Sequence, residues 1–429
     1  MTIWLLNWEE KVSVFLKKYS KDVLIGFITG LLTYFMMISL NLVNDVDGIW
    51  HLSNFIAGDW EISLGRGLLR YADRARFGIV SVPFNSILTI LLIAITNTII
   101  STKFCFTNKV YKLLFFTVMI ANPIVCYSLS YSYTSVNYGL AYLFSVLSYC
   151  CINCNAKRKT VMAEITIATC FFAVSMALYQ AYICVTCVLI IITIMKMLIE
   201  KQKTKKTLQY AATGLSVFVL GGLLYFLITK VLLFRAGVEM ASYKGAASAN
   251  PVSMLKALPE ALKQCYMQFS DFILKQKTLS KLEFINIILI CLGVVYLVAA
   301  LIQFIKLLKH HIFSAIIFWA MIILLPVASC AVLLLAVGSS MTVLMSMGII
   351  LCIVILGIIV PTEEKAGFWI SRMYILLLAV FAWFQLSAVT NDQLALKEGK
   401  TATITLTENI VSELYSEGYL NDVLNVKYN

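Results

Sequence analysis

Residues 312–360 read IFSAIIFWAMIILLPVASCAVLLLAVGSSMTVLMSMGIILCIVILGIIV, and not one of them is charged. A hydrocarbon core of about 30 Å is crossed by about 20 helical residues. The stretch is too long for one span, and Gly338-Ser339-Ser340 offers a break between two. The same rule applied outward gives spans near 23–43, 80–100, 110–128, 137–153, 161–178, 180–199, 211–233, 284–304, 312–332, 341–360 and 369–389. The expected fold class is an all-α polytopic membrane protein of about eleven transmembrane helices, with amphipathic interfacial helices in the extracytoplasmic loops.

Composition excludes a soluble reading. The chain is 61% hydrophobic and 13% charged, where soluble domains carry roughly a quarter charged residues. The net charge of +12 is spread over short loops between apolar runs. That is the pattern of membrane topology, so no nucleic-acid partner is expected. Most of the twelve cysteines sit inside apolar runs and read as small buried hydrophobes. A lone Cys151/Cys154 pair is weak ground for a metal site.

Lysine and arginine set the orientation. The basic short loops around Lys17, Lys103, Lys157, Lys201, Lys306 and Lys365 face the cytoplasm, while the turns near 129–136, 179 and 333–342 carry no Lys or Arg. Residues 1–22 read as a cytoplasmic interfacial helix and 23–389 as the transmembrane domain. Loops 44–79 and 234–283 and the tail 390–429 fall outside. The tail is expected to pack on the core, with a short helix around Ile410, Leu414 and Tyr415.

The candidate chemistry lies in those outer loops. Asp45 and Asp47 follow the first span, where a carboxylate is costly unless it is used. Either could serve as a general base, and Asp47-Gly48 reads as a turn. Asn44 or Asp45 could equally cap a following helix. His51 is a further acid–base candidate, or a packed interfacial residue beside Trp50. Arg66, Arg70 and Arg74 recur every four residues, which on a helix is one face, and their forks suit phosphate oxygens. They could also pair with Asp59, Glu61 and Asp73. Arg235 and Tyr243-Lys244 lie at the mouth of the seventh span as further phosphate-binding candidates. Tyr179-Gln180, at a turn with almost no loop, suits either a sugar or helix–helix bonding. Segment 250–274 is amphipathic, broken near Pro259, and is expected to act as a cavity lid or wall. GxxxxGK[ST], HExxH and GxSxG are absent.

The strings Asp47-Gly48-Ile49-Trp50, Trp60-Glu61-Ile62-Ser63-Leu64-Gly65-Arg66 and Arg76-Phe77-Gly78, together with Tyr179-Gln180, resemble the O-antigen serotype-converting membrane glucosyltransferases. They are similar too to the Gram-positive relatives that decorate cell-wall polysaccharide, all GT-C-type enzymes. The resemblance implies a hexose, glucose or N-acetylglucosamine in type, carried by a polyprenyl-phosphate donor. It implies a cell-surface polysaccharide or teichoic-acid-type acceptor, inverting transfer, and a location in the bacterial cytoplasmic membrane with the site outside. A partner enzyme that loads the lipid and a flippase are implied as well. Asp47 maps onto the base, with Asp45 as alternate, and Arg66 onto a phosphate ligand. Trp50, His51, Tyr179, Gln180 and Tyr243 remain sugar- or acceptor-binding candidates. No cofactor and no obligatory metal are expected. The family leads one to expect a basic residue in the late spans, and 331–345 offers none; Arg235, Lys244 or Lys281 would have to substitute. Two rival classes are a lipid-linked glycan flippase or transporter, whose ionisable groups gather near the midplane, and a polysaccharide polymerase or ligase, which uses diphosphate-linked glycans.

Overall fold

A computed structural model describes residues 2–44, 47–51, 53–152, 158–241, 256–275, 284–335, 340–360 and 365–416. Among them the regular structure is helical, with one isolated bridge between Asn54 and Ile79. Asp45, Tyr243, Lys244 and Lys281 lie outside the described residues.

The chain opens with α1 (Thr2–Thr33) and α2 (Phe35–Ser39), broken at Tyr34. Three short helices follow: α3 (Asp47–Trp50), α4 (Asp59–Ser63) and α5 (Leu69–Ala75). The bundle continues through α6 (Val82–Lys103), α7 (Lys109–Ile120), α8 (Pro123–Ser130) and α9 (Ser135–Cys151). After these come α10 (Arg158–Leu178), α11 (Ile183–Ile199) and α12 (Thr204–Ala236). An amphipathic α13 (Leu258–Leu274) precedes α14 (Ile285–His310), α15 (Ile312–Ser329), α16 (Met347–Ile355) and α17 (Lys365–Ser416).

Starts and stops follow local chemistry. Asn108 and Asn122 cap α7 and α8, each side chain accepting two backbone N–H bonds, and Pro123 opens α8 where its missing N–H costs nothing. Inside the bundle, buried hydroxyls are spent on neighbouring helices. Ser145 Oγ lies 2.8 Å from Thr186 Oγ1, Tyr142 donates to Asn97 at 2.7 Å, and Ser175 donates to the Ala141 carbonyl at 2.8 Å. Such bonds hold apolar helices together where lipid offers no hydrophobic drive. The break at Tyr34 is repaired from the far end of the chain. Gln393 accepts from Met37 N at 3.0 Å and donates to the Thr33 carbonyl at 2.9 Å.

Eight described helices are long and apolar enough to cross a membrane, so the class is as expected and the count of eleven is not confirmed. The expected span 137–153 falls on α9, which has 17 residues. The span 341–360 falls on two 3₁₀ turns and the short α16, and 23–43 runs across the break between α1 and α2.

Three boundaries need correction. The interfacial helix at 1–22 is no separate element, since α1 runs unbroken for 32 residues. Nor does a tail begin at residue 390: α17 continues for 52 residues, and residues 401–416 project from the bundle, nearly all exposed, without packing on it. Pro259 does not break α13 but sits in its first turn. That helix buries Ala261, Cys265 and Phe272 against the bundle, and Tyr266 donates to the Ile323 carbonyl at 2.6 Å. It walls an apolar cavity of about 250 Å³ with Phe269 and Ile273, away from the polar residues described next.

Candidate functional site

The polar loop after α2 is folded by one buried ion pair. Asp73 Oδ1 accepts from Arg76 Nη2 and from Asn137 Nδ2, both at 2.7 Å, while Oδ2 accepts from Ala57 N at 3.0 Å. The Asp73 side chain is 0% exposed and that of Arg76 10%. Arg76 also donates to the Tyr133 carbonyl at 2.8 Å, tying the loop to the turn between α8 and α9. Arg70 bridges Asp59 at 2.6 Å and the Ala57 carbonyl at 2.9 Å. Both guanidinium groups are therefore committed to the scaffold, and Arg74 is exposed.

The three arginines at four-residue spacing do not share a helical face, because α5 begins at Leu69 and Arg66 precedes it. Arg66 is delivered differently. Helix α4 ends at Leu64, and Gly65 takes φ +76°, a conformation that glycine adopts without steric cost. A Cβ at that position would collide with Tyr225 Oη. The sharp turn aims Arg66 into the bundle, where its guanidinium lies 4.8 Å from the centre of the Tyr179 ring and Nε donates to Gln180 Oε1 at 3.4 Å. Gln180 is fixed in turn by donating to the Leu64 carbonyl at 2.8 Å and to Tyr225 Oη at 3.0 Å. Tyr179 and Gln180, singled out as sugar-binding candidates, both contact the arginine, and Tyr179 also lines the cavity beside it.

Arg66 faces a cavity of about 640 Å³ at the end of the bundle that carries the loop. Asp47, His51 and Glu61 line it as well. Asp47 is not in a turn but is the first residue of α3, with Gly48 N donating to Asn44 Oδ1 at 2.9 Å. Asn44 thus satisfies one backbone N–H in the first turn of α3, and the Asp47 carboxylate has no hydrogen-bond partner among the described residues. One Glu61 oxygen accepts from Gly58 N at 2.7 Å. His51 packs on Phe55 and Tyr133, with ring centres 4.4 and 4.7 Å away.

Other candidates fall elsewhere. Trp50 is 82% exposed and does not line the cavity. Arg70, Arg74 and Arg235 do not line the cavity, and Arg235 is exposed at the end of α12. Arg66 is the one cation lining it among the described residues. The late segment Met341–Met345 forms one wall and contributes no charge there, in keeping with its sequence.

The aromatic wall was missed in the sequence. Trp60, Tyr127, Tyr131, Tyr133 and Tyr138 line the cavity with Thr134. The signal was available in the alternation Tyr127-Ser128-Leu129-Ser130-Tyr131-Ser132-Tyr133-Thr134, a turn too rich in hydroxyls to be a plain connection. Burial pushes the Tyr131 hydroxyl up to about 12, helped by Tyr127 and then by the Asp47 charge. Tyr133 is raised by burial and then by Asp47. Both phenols therefore stay protonated near neutral pH, able to donate to a sugar oxygen and unfit to act as bases.

A cavity lined by two carboxylates, a clamped guanidinium and aromatic rings has the groups to hold a sugar and a phosphate together. The model of the glucosyl transferase GtrII family matches residues 35–356, which include every cavity-lining residue named here. With its all-helical, multi-pass architecture the protein is thereby defined as a membrane glycosyltransferase. The chain belongs to the GtrII glucosyl transferase family, and the resemblance to serotype-converting glucosyltransferases holds. Comparison with curated proteins and with solved structures gives no match.

Proposed function

We propose that the protein transfers a hexose from a polyprenyl-phosphate donor to a cell-surface glycan, with inversion, at the outer face of the bacterial cytoplasmic membrane. The observation that carries this reading is the placement of Arg66, clamped by Tyr179 and Gln180, in the same cavity as Asp47, whose carboxylate has no hydrogen-bond partner among the described residues. The donor phosphate sits against the Arg66 fork, and the sugar lies among the tyrosines. An acceptor hydroxyl approaches the anomeric carbon from the side opposite the phosphate and gives its proton to Asp47. The new C–O bond forms as the bond from the anomeric carbon to the phosphate oxygen breaks. The electron pair leaves with polyprenyl phosphate, whose charge Arg66 stabilises as it develops. Glu61 is a second carboxylate within the cavity and the rival base among the described residues. The ionisable groups of the cavity, Asp47, Glu61 and Arg66, lie at one end of the bundle, which favours this chemistry over transport, where such groups sit near the midplane.

The test is transfer in proteoliposomes from radiolabelled polyprenyl-phosphate hexose to purified cell-envelope glycan. Wild type transfers label, and Asp47→Asn lowers kcat by about 10²- to 10⁴-fold while donor binding persists. Full activity in Asp47→Asn, with loss in Glu61→Gln, moves the base to Glu61. No transfer from any polyprenyl-phosphate hexose overturns the reading.

A further inference from the structure

Next to the candidate active site lies a second cavity of about 360 Å³ with a mixed polar and apolar lining, and Tyr127 lines both. Its other walls include Asn44, Ser130, Asp392, Ala395 and Leu396. Asn44 accepts the Gly48 N–H of α3, so the new cavity abuts the segment that carries Asp47.

Asp392 is the unexplained group. It lies in the interior of α17, far from either end, so it caps nothing. Among the described residues it forms no hydrogen bond and no ion pair, and no Lys or Arg lines the cavity. A half-buried carboxylate left without a partner costs free energy unless something uses it. Its neighbour Gln393 is locked onto Met37 N and the Thr33 carbonyl, which holds this stretch of helix in place against the break between α1 and α2. Asp392 is therefore presented to the cavity by a rigid support. One carboxylate with an amide and hydroxyls makes a poor cation cage, which needs six or more oxygen ligands. Polar groups that converge over Ala395 and Leu396 suit a sugar ring, with hydroxyls on its rim and an apolar face.

We propose that this cavity is the acceptor subsite, that Asp392 hydrogen-bonds a sugar of the acceptor glycan, and that its charge selects an uncharged or amino sugar there over a phosphodiester-linked one. The inference rests on the glycosyltransferase reading above. It places the acceptor on the Asp47 side of the active-site cavity. Asp392 lies outside the matched residues 35–356, in a segment apart from the residues assigned to the chemistry.

The experiment measures transfer at saturating polyprenyl-phosphate hexose while three acceptors are titrated: a neutral oligosaccharide, an amino-sugar oligosaccharide and a phosphodiester-linked glycan. Wild type favours the first two. Asp392→Asn raises KM for the neutral acceptor about tenfold, the equivalent of one charge-assisted bond, and narrows the discrimination against phosphodiester by a similar factor. Ala395→Trp, at an exposed position that accepts bulk, fills the cavity and raises acceptor KM while donor KM stays put. Transfer by wild type with both variants unchanged in acceptor KM and ranking overturns the subsite alone. No transfer by wild type overturns the subsite and the glycosyltransferase reading together.

Discussion

Replacing Asp73 by alanine removes the acceptor at the centre of the loop. Three donors lose it: Arg76 Nη2, Asn137 Nδ2 and Ala57 N. Arg76 keeps its bonds to the Tyr133 and Ile79 carbonyls, but its charge stays 10% exposed without a counter-ion. Breaking a buried ion pair from one side costs about 3–5 kcal/mol, because the remaining charge is uncompensated. Two stranded neutral donors add about 1–3 kcal/mol each where water cannot reach them. Water entering the vacated space relieves part of this, so about 3–5 kcal/mol is the expected total. Thermal unfolding of the detergent-solubilised protein, with limited proteolysis between residues 53 and 80, reads the loss. Asp73→Ala lowers the midpoint and opens the loop to protease. The double variant Asp73→Leu/Arg76→Met, which removes both charges, recovers at least half of the loss. An Asp73→Ala protein within about 1 kcal/mol of wild type and resistant to protease would refute the claim that this pair folds the loop.

Arg66→Lys keeps the charge but loses both the Nε that meets Gln180 and the fork; kcat/KM falls about 10- to 100-fold in the proteoliposome assay, and a wild-type rate contradicts the phosphate assignment. Gly65→Ala costs about 1–2 kcal/mol for the left-handed backbone, beyond the clash with Tyr225, and lowers both activity and the unfolding midpoint. Tyr131→Phe leaves the pH–rate profile unmoved from about pH 7 to about pH 10, since a phenol raised to about 12 stays neutral throughout; a shifted alkaline limb would show it ionising. Transfer persists in chelator because Arg66 carries the leaving charge, and activity lost in chelator and restored by a divalent ion counts against that mechanism.

The sequence disclosed what depends on local pattern. Uncharged runs such as 312–360 mark spans because hydrocarbon tolerates nothing else, and the acid–arginine loop stands out against them. Arg66, Asp47, His51, Tyr179 and Gln180 were legible as a group, although Tyr179 and Gln180 hold Arg66. Which arginine is free was not legible. Arg76 is consumed by a carboxylate whose other partners are Ala57 and Asn137, and only the folded chain brings those together. The tyrosine wall was hidden for the same reason, since spacing along the chain does not say which inter-helix turn meets the loop. The end of α17 was misread because polar composition after residue 389 marks the end of an apolar span, whereas the helix itself runs on to Ser416.

The repair of the Tyr34 break by Gln393 also bears on how the protein is made. The Met37 N–H and the Thr33 carbonyl lie near the start of the chain, and the side chain that satisfies them is some 360 residues later. While the ribosome is still working, the first hydrophobic segment enters the bilayer with that gap open. It closes only when the last long helix is inserted, and Lys400 then adds its bond to the Leu40 carbonyl at 2.8 Å. A chain that ends before Gln393 keeps the Met37 N–H and the Thr33 carbonyl without that partner.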